Sequence, residues 1–289
     1  MSGPTLRAAC VQVNAGLEVE PNLEIAADLA RKAAKDGADL ITFPENVACI
    51  AHGRRKLIAR AFDPVDNTAL AFFQDLAQEV GAWLLIGSLH VRVSSEKAAN
   101  RCFLIDPAGT VTATYDKIHM FDVDLQGGES YRESAIFEPG RQAVLADLPQ
   151  ARLGLTICYD VRFAALYRAL AHGGATIMSV PAAFTKKTGQ AHWHTLLTAR
   201  AIETGSFIIA PAQTGTHDEG RETYGHSLIV APWGEVLADA GSEVGVVVAD
   251  LDMSLVDKAR QAVPALTHDV EIALPEVEPA TPLPLRASL

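Results

Sequence analysis

Leu153-Gly154-Leu155-Thr156-Ile157-Cys158-Tyr159-Asp160-Val161-Arg162-Phe163 runs apolar, reaches one cysteine and turns polar at once. That is how a buried strand delivers a side chain to the rim of a sheet. Beyond Phe163 the spacing becomes helical, with Leu166 and Leu170 four apart. The order is strand, cysteine, helix. Asp160 has the chemistry of an N-cap, which would put the Cys158 thiol near the positive end of a helix, where a thiolate is favoured and its pKa falls. Two readings stay open from this segment alone: Cys158 as a nucleophile, or as a buried structural cysteine at a strand end.

Outward from Cys158 the second half reads strand Arg152 to Ile157, helix Arg162 to His172, strand Thr176 to Val180, helix His192 to Thr204, then strands Phe207 to Ala210, Ser227 to Val230 and Val236 to Asp239. The first half has the same order. It runs strand Leu6 to Val13, helix Pro21 to Asp36, strand Leu40 to Phe43, helix Thr68 to Val80, then strands Trp83 to His90, Cys102 to Asp106 and Val111 to Tyr115. Even the turns correspond: Asp106-Pro107-Ala108-Gly109 and Ala231-Pro232-Trp233-Gly234 each carry proline early and glycine late, and Pro44 is matched by Pro181. Two similar α/β halves can bury their sheets against each other and keep helices outside, an α-β-β-α sandwich. A strand Val244 to Leu251 and a helix Ser254 to Ala262 come next, and from Pro264 the periodicity fades. The expected organisation is one domain over residues 1–274 and a loose, Pro-rich tail from Pro275 to Leu289.

Two further segments end strands in reactive side chains. Asp39 to Asn46 is apolar, stops at Pro44 and presents Glu45, a base of the kind a thiol needs or else a solvated loop carboxylate. Tyr115 to Asp124 places Lys117 after a strand, where it is either a cation for a developing oxyanion or a surface ammonium.

With Phe43-Pro44-Glu45-Asn46, the YDKIHMFDVD stretch around Lys117, GLTICYDVRF around Cys158 and YGHSLIVAPWGEV near the end, the chain resembles the nitrilase, or carbon–nitrogen hydrolase, superfamily from about residue 5 to 265. The resemblance implies that fold, a Glu-Lys-Cys triad of Glu45 as base, Lys117 as oxyanion cation and Cys158 as nucleophile, and a second glutamate near the nucleophile. Glu129-Ser130-Tyr131-Arg132-Glu133-Ser134 matches the Nit branch of the family, which assigns that glutamate to Glu133, with Glu129 as the alternative. Nit-branch members hydrolyse amides with a distal carboxylate, including ω-amides of 2-oxo acids and deaminated glutathione. The implied chemistry is acyl transfer through a thioester with release of ammonia, the backbone N–H of Tyr159 completing the oxyanion site. The family implies a homodimer or larger assembly. A nitrilase and an N-carbamoyl amino acid hydrolase are the alternatives within the family, and a non-catalytic binding homologue is the alternative outside it. A serine hydrolase through Ser227 fails, because no nucleophile-elbow glycine pattern surrounds that serine.

Arg162 is the expected anchor for a distal carboxylate, since a cation in the first turn of a helix opposes the macrodipole unless it binds something; its alternative is a structural salt bridge with Asp160 or a nearby acid. Phe184, Thr185 and Tyr224 complete the expected substrate pocket.

Composition fits an ordinary cytoplasmic enzyme. The 289 residues are 49% hydrophobic with a net charge of −11, which speaks against nucleic acid or anionic membrane as partners. The basic run from His52 to Arg60 reads as a solvated helix face. No charged-then-apolar leader opens the chain, and no apolar run nears the ~20 residues of a membrane span. Cys10 and Cys102 read as small core residues, Cys49 as one that could approach the site, and disulfides are not expected. His192 and His194 diverge on a helix, so no metal and no cofactor are expected.

Overall fold

The computed structural model describes residues 3–125 and 130–272; Glu129 and the Pro275 to Leu289 tail lie outside them. The first half supplies β1 (Thr5–Gln12), α1 (Val19–Lys35), β2 (Leu40–Thr42), α2 (Arg54–Arg60), α3 (Thr68–Val80), β3 (Trp83–Arg92), β4 (Ala98–Ile105) and β5 (Val111–Asp116). A hairpin of β6 (Asp122–Asp124) and β7 (Ser130–Arg132) and the strand β8 (Val144–Asp147) lead on. The second half comprises β9 (Arg152–Leu155), α4 (Ala164–His172), β10 (Ile177–Ser179), α5 (Lys186–Thr204), β11 (Phe207–Ala210), the hairpin β12 (Thr214–Thr216) and β13 (Glu222–Tyr224), β14 (Leu228–Val230) and β15 (Val236–Asp239). Then come β16 (Gly245–Asp252) and α6 (Ser254–Ala262).

The strands form two six-stranded sheets, ordered β16-β1-β2-β3-β4-β5 and β8-β9-β10-β11-β14-β15. The internal echo survives in the two sheets: β1, β2 and β3 are parallel to one another, as are β9, β10 and β11, and every other pairing in both sheets is antiparallel. Each half also hands its last strand to the other half's sheet, β8 to the second and β16 to the first. That exchange ties the halves into one body.

Alternation along the strands decides which face is which. On β1, Leu6, Ala8 and Cys10 join the core between the sheets while Ala9 and Val11 join the core under α1 and α3. On β2 the same split divides Leu40 from Ile41. A fully buried Leu or Ile contributes about 2 kcal/mol, so a one-residue slip of register would forfeit several at once. Helix α1 lies close because its inward positions are Ala26, Ala27, Ala30 and Ala33. On the second sheet, Leu166 and Leu170 of α4 and Trp193 and Leu197 of α5 form the outer layer. The sandwich is therefore helix, sheet, sheet, helix, as expected.

Local departures have local causes. Helix α5 begins at Lys186 rather than His192, because Lys186-Lys187-Thr188-Gly189-Gln190 has no apolar rhythm to betray a helix. Helix α4 begins at Ala164, because Cys158–Arg162 coils into a 3₁₀ turn first. The basic run does form a helix, α2, with Leu57 inward and Arg54, Arg55 and Lys56 exposed. All four cysteines are free and buried, Cys10 and Cys102 between the sheets. Among the described residues no helix is long and apolar enough to cross a membrane.

Candidate active site

Glu45 and Cys158 stand at corresponding ends of the two sheets. Beyond β2, Phe43 keeps one more ladder bond, its N–H donating to Leu85 O at 2.9 Å, before Pro44 ends the strand. The two matching prolines meet over Gly87. A Cβ there would lie 2.1 Å from Phe43 O and 2.5 Å from Pro181 Cβ, so only glycine lets the strand ends approach this closely. Glu45 is thereby directed under the second sheet, where Ala183 N–H donates to its Oε2 at 2.9 Å.

Lys117 comes directly after β5 and is buried with Glu45. Its Nζ donates to Glu45 Oε1 at 2.9 Å and to both carboxylate oxygens of Glu133 at 2.9 Å. Glu133 reaches it from the 3₁₀ turn after the β6–β7 hairpin, and Phe121 N–H donates to its Oε2 at 2.6 Å. Asn100, on β4, donates from Nδ2 to Glu45 at 2.9 Å and to Glu133 at 3.3 Å. One ammonium and one amide thus hold two carboxylates at fixed positions.

Cys158 has φ 49°, the left-handed region that a side chain with a Cβ seldom occupies. Two sets of contacts hold the strained turn. Cys158 N–H donates to Pro181 O at 2.8 Å, and the buried Asp160 carboxylate accepts from Ile157 N–H at 2.9 Å, Tyr115 Oη at 2.7 Å and His119 N–H at 3.0 Å. Asp160 is accordingly a brace for the turn and not the N-cap of α4, a correction of the sequence expectation.

Burial and neighbouring charge, not the helix end, set the thiol. Burial pushes Cys158 up, the Glu45 charge adds to that, and Lys117 opposes both without prevailing, so the pKa stands well above 9.0. The expectation of a lowered pKa is overturned: the neighbouring 3₁₀ turn is too short to offer a strong dipole, and the cation is engaged by two glutamates. Burial works on Glu45 in the same upward direction, yet the Lys117 charge and the hydrogen bonds from Lys117, Cys158 and Ala183 bring it down to about 2. For Lys117 burial lowers the pKa, and the Glu133 and Glu45 charges override it and hold the ammonium above its ordinary 10.5. The resting site is thiol, carboxylate and ammonium.

These shifts fix the sign of the pH dependence. The depressed Glu45 contributes stability that is complete above its ordinary 4.5 and lost as pH falls through about 2. The raised Lys117 contributes below 10.5 and loses that contribution only as pH climbs through its higher folded value. Glu45 is therefore charged throughout the working range, and kcat/KM should hold its plateau down to pH 4.5. An acid limb of the kcat/KM profile centred above that value would show Glu45 protonated at rest.

A family model described as carbon-nitrogen hydrolase matches residues 7–261. The chain belongs to that family. This carbon–nitrogen hydrolase is 41% identical to a Synechocystis sp. protein named deaminated glutathione amidase, over 91% of the present chain and 97% of the relative. Its fold matches the crystal structure of the C. elegans NitFhit protein with TM-score 0.86 and 34% identity, covering 93% of this chain and 66% of that longer one. It also matches a glutamate-to-glutamine mutant of the Nesterenkonia sp. AN1 amidase, with TM-score 0.76 and 28% identity over 89% of this chain and 94% of that one. In that mutant the acetamide moiety of fluoroacetamide is covalently added at the active-site cysteine.

Glu45, Lys117, Glu133 and Cys158 of this carbon–nitrogen hydrolase line one cavity of about 220 Å³, with Tyr159, Phe184 and Thr185 in its wall. Arg162 and Tyr224 are not among the lining residues. Arg162 ends the 3₁₀ turn instead of opening a helix, so the dipole argument for it does not apply. Its guanidinium lies 5.4 Å from the Phe184 ring centroid and donates to His192 Nδ1 at 3.2 Å, and its alternative partner Asp160 is taken by the turn instead. Tyr224 packs on Gly189 and stacks on His226 with centroids 4.4 Å apart. Cys49 turns away, its Sγ 3.4 Å from Leu17 O.

Among the lining residues to which the sequence assigns no role are Asn100, Tyr131 and Arg221. Asn100 carries a signal, an amide at a buried strand position, but the apolar pattern starts that strand only at Cys102. Arg221 sits in the polar stretch His217 to Glu222, which has no periodicity to read. Outside the cavity, His194 does find partners: Asp239 lies 3.1 Å from its Nε2 and 2.9 Å from His226 Nδ1, a cluster of metal-ligating types drawn from three segments.

Proposed function

We propose that this carbon–nitrogen hydrolase cleaves a non-peptide amide of a small carboxylated molecule through a thioester on Cys158. The observation that carries the reading is the contact set around Lys117, which joins a charged Glu45 to Glu133 beside a protonated thiol. Because the thiol is the weaker acid of the pair, its proton moves to Glu45 only as sulfur attacks the amide carbon. Lys117 and the Tyr159 N–H stabilise the resulting oxyanion, two donors of a type worth about 3 kcal/mol each. The C–N bond then breaks as Glu45 returns the proton to nitrogen, so that ammonia leaves a primary amide and an amine leaves a secondary one. Water, deprotonated by Glu45, attacks the thioester; the acid departs and the thiol is restored.

The Synechocystis relative's name, deaminated glutathione amidase, and the adduct on the Nesterenkonia cysteine both support this chemistry. A product assay tests it: ammonia or amine release from 2-oxoglutaramate, 2-oxosuccinamate, deaminated glutathione, a simple aliphatic amide, a nitrile and an N-carbamoyl amino acid. Turnover confined to the nitrile or the carbamoyl compound would overturn the amide assignment.

Glu133→Gln separates the two glutamates. A glutamine keeps one acceptor for Lys117 or Phe121 N–H but removes a charge that positions the ammonium. We expect kcat/KM to fall by about 10²-fold with acylation surviving, whereas Glu45→Gln blocks acylation itself. Intact mass after mixing with substrate reads this directly. An acyl adduct that builds up equally in both variants would erase the distinction.

A further inference from the structure

We propose that Arg221 is the carboxylate-binding residue of the catalytic cavity and that it selects substrates by the spacing between their acid group and the scissile amide. The inference rests on the reading of the enzyme as an amidase for carboxylated amides and names the group that would make it one.

Arg221 borders both the catalytic cavity and an adjoining one, with His52, Tyr131 and Thr185 shared between them. Among the described residues no carboxylate pairs with it. The two acids nearest in sequence are engaged elsewhere, Glu219 with Lys56 and Glu222 with Lys186. One edge of the guanidinium is fixed, Nη2 donating to Ala183 O at 2.6 Å, and its carbon lies 5.8 Å from the Tyr131 ring centroid. The Nε–H, in contrast, is buried and has no partner among the described residues. That nitrogen is covered by protein, whereas Nη1 makes no hydrogen bond among the described residues and is not buried, so the Nη1–Nη2 edge of the planar fork is the one that suits a bidentate carboxylate. Lys117 cannot serve, because two glutamates already occupy it.

Ala183 converts this cation into a measure of length. Its N–H holds Glu45 and its carbonyl holds Arg221, so one residue fixes the base and the guanidinium relative to each other. A substrate must then span from the thiol to the fork with its own carbon chain, and a homologue longer or shorter by one methylene is misplaced at one end.

The test compares a dicarboxylic acid monoamide with its neutral isostere, in which a methyl ketone replaces the acid. For Arg221→Gln we expect the ratio of kcat/KM for the acid over the isostere to fall by roughly 10- to 100-fold, with the larger part in KM. Arg221→Lys keeps the charge without the fork and should fall between glutamine and wild type. Calorimetry of the diacid product with Cys158→Ala, alone and combined with Arg221→Gln, should show the same loss in binding. Equal losses for both amides would make Arg221 a wall residue and overturn the proposal, as would a wild-type ratio in Arg221→Gln. Should the glutamine variant fail to fold, Arg221→Lys decides by the same two outcomes. A wild-type enzyme with no preference for the acid would instead overturn the carboxylated-substrate reading beneath it, so the two failures are distinguishable.

Discussion

Cys158→Ala is expected to abolish turnover, by at least about 10⁴-fold, while the fold stands. The substitution removes one sulfur from a buried turn and leaves its scaffold untouched: the Cys158 N–H bond to Pro181 O and all the bonds to the Asp160 carboxylate come from other atoms. What is lost is one sulfur and its interaction with the Glu45 carboxylate, worth about 1 kcal/mol, so the melting temperature should move by a few degrees at most. Cys158→Ser should be nearly as inactive. A hydroxyl is a far weaker acid than a thiol, and the base that must accept its proton is already depressed to about 2. Amide turnover measured beside a melting curve settles the point, and wild-type-like activity in the alanine variant would sink the nucleophile assignment.

How much of this the sequence discloses depends on the range of the interaction. The two-fold echo, the layer order and the strand ends carrying Glu45, Lys117 and Cys158 are legible because period-2 and period-3.6 patterns are local. The exchange of β8 and β16 between the sheets is not, since pairing of β16 with β1 joins Asp252 to Thr5. The thiol's ionisation is illegible for a related reason. Helix position is a local cue, whereas the Glu45 charge that helps raise the thiol comes from the opposite half of the chain. Arg162 and Arg221 make the same point from the substrate side. Arg162 stands four residues from Cys158 and is turned outside the cavity lining, while Arg221 is brought to it by the loop between β12 and β13, a stretch with no pattern at all.

Lys117→Met is expected to lose activity by about 10³-fold or more and to destabilise the fold, with a pH signature that a simple packing defect lacks. Removing one partner of a buried ion pair costs about 3–5 kcal/mol, and here it strands two carboxylates that share the Asn100 amide. They cannot both stay ionised at that distance, so one takes up a proton and its pKa rises above the unfolded value. If Glu45 takes it the proposed base is lost, and in either case the proposed oxyanion has lost its cation. The sign of the stability change reverses accordingly. A carboxylate raised in the folded state destabilises at high pH and ceases to do so as pH falls through the folded pKa, so the variant's melting temperature should rise on acidification from about pH 7 to about pH 5.5. Wild type, with Glu45 depressed to about 2, should show no such rise from this pair. The double variant Lys117→Met with Glu133→Gln removes one of the stranded charges and should regain much of the stability without regaining the activity. A Lys117→Met protein that melts like wild type at every pH would mean that the two carboxylates do not depend on this ammonium, and the electrostatic account of the site would fall with it.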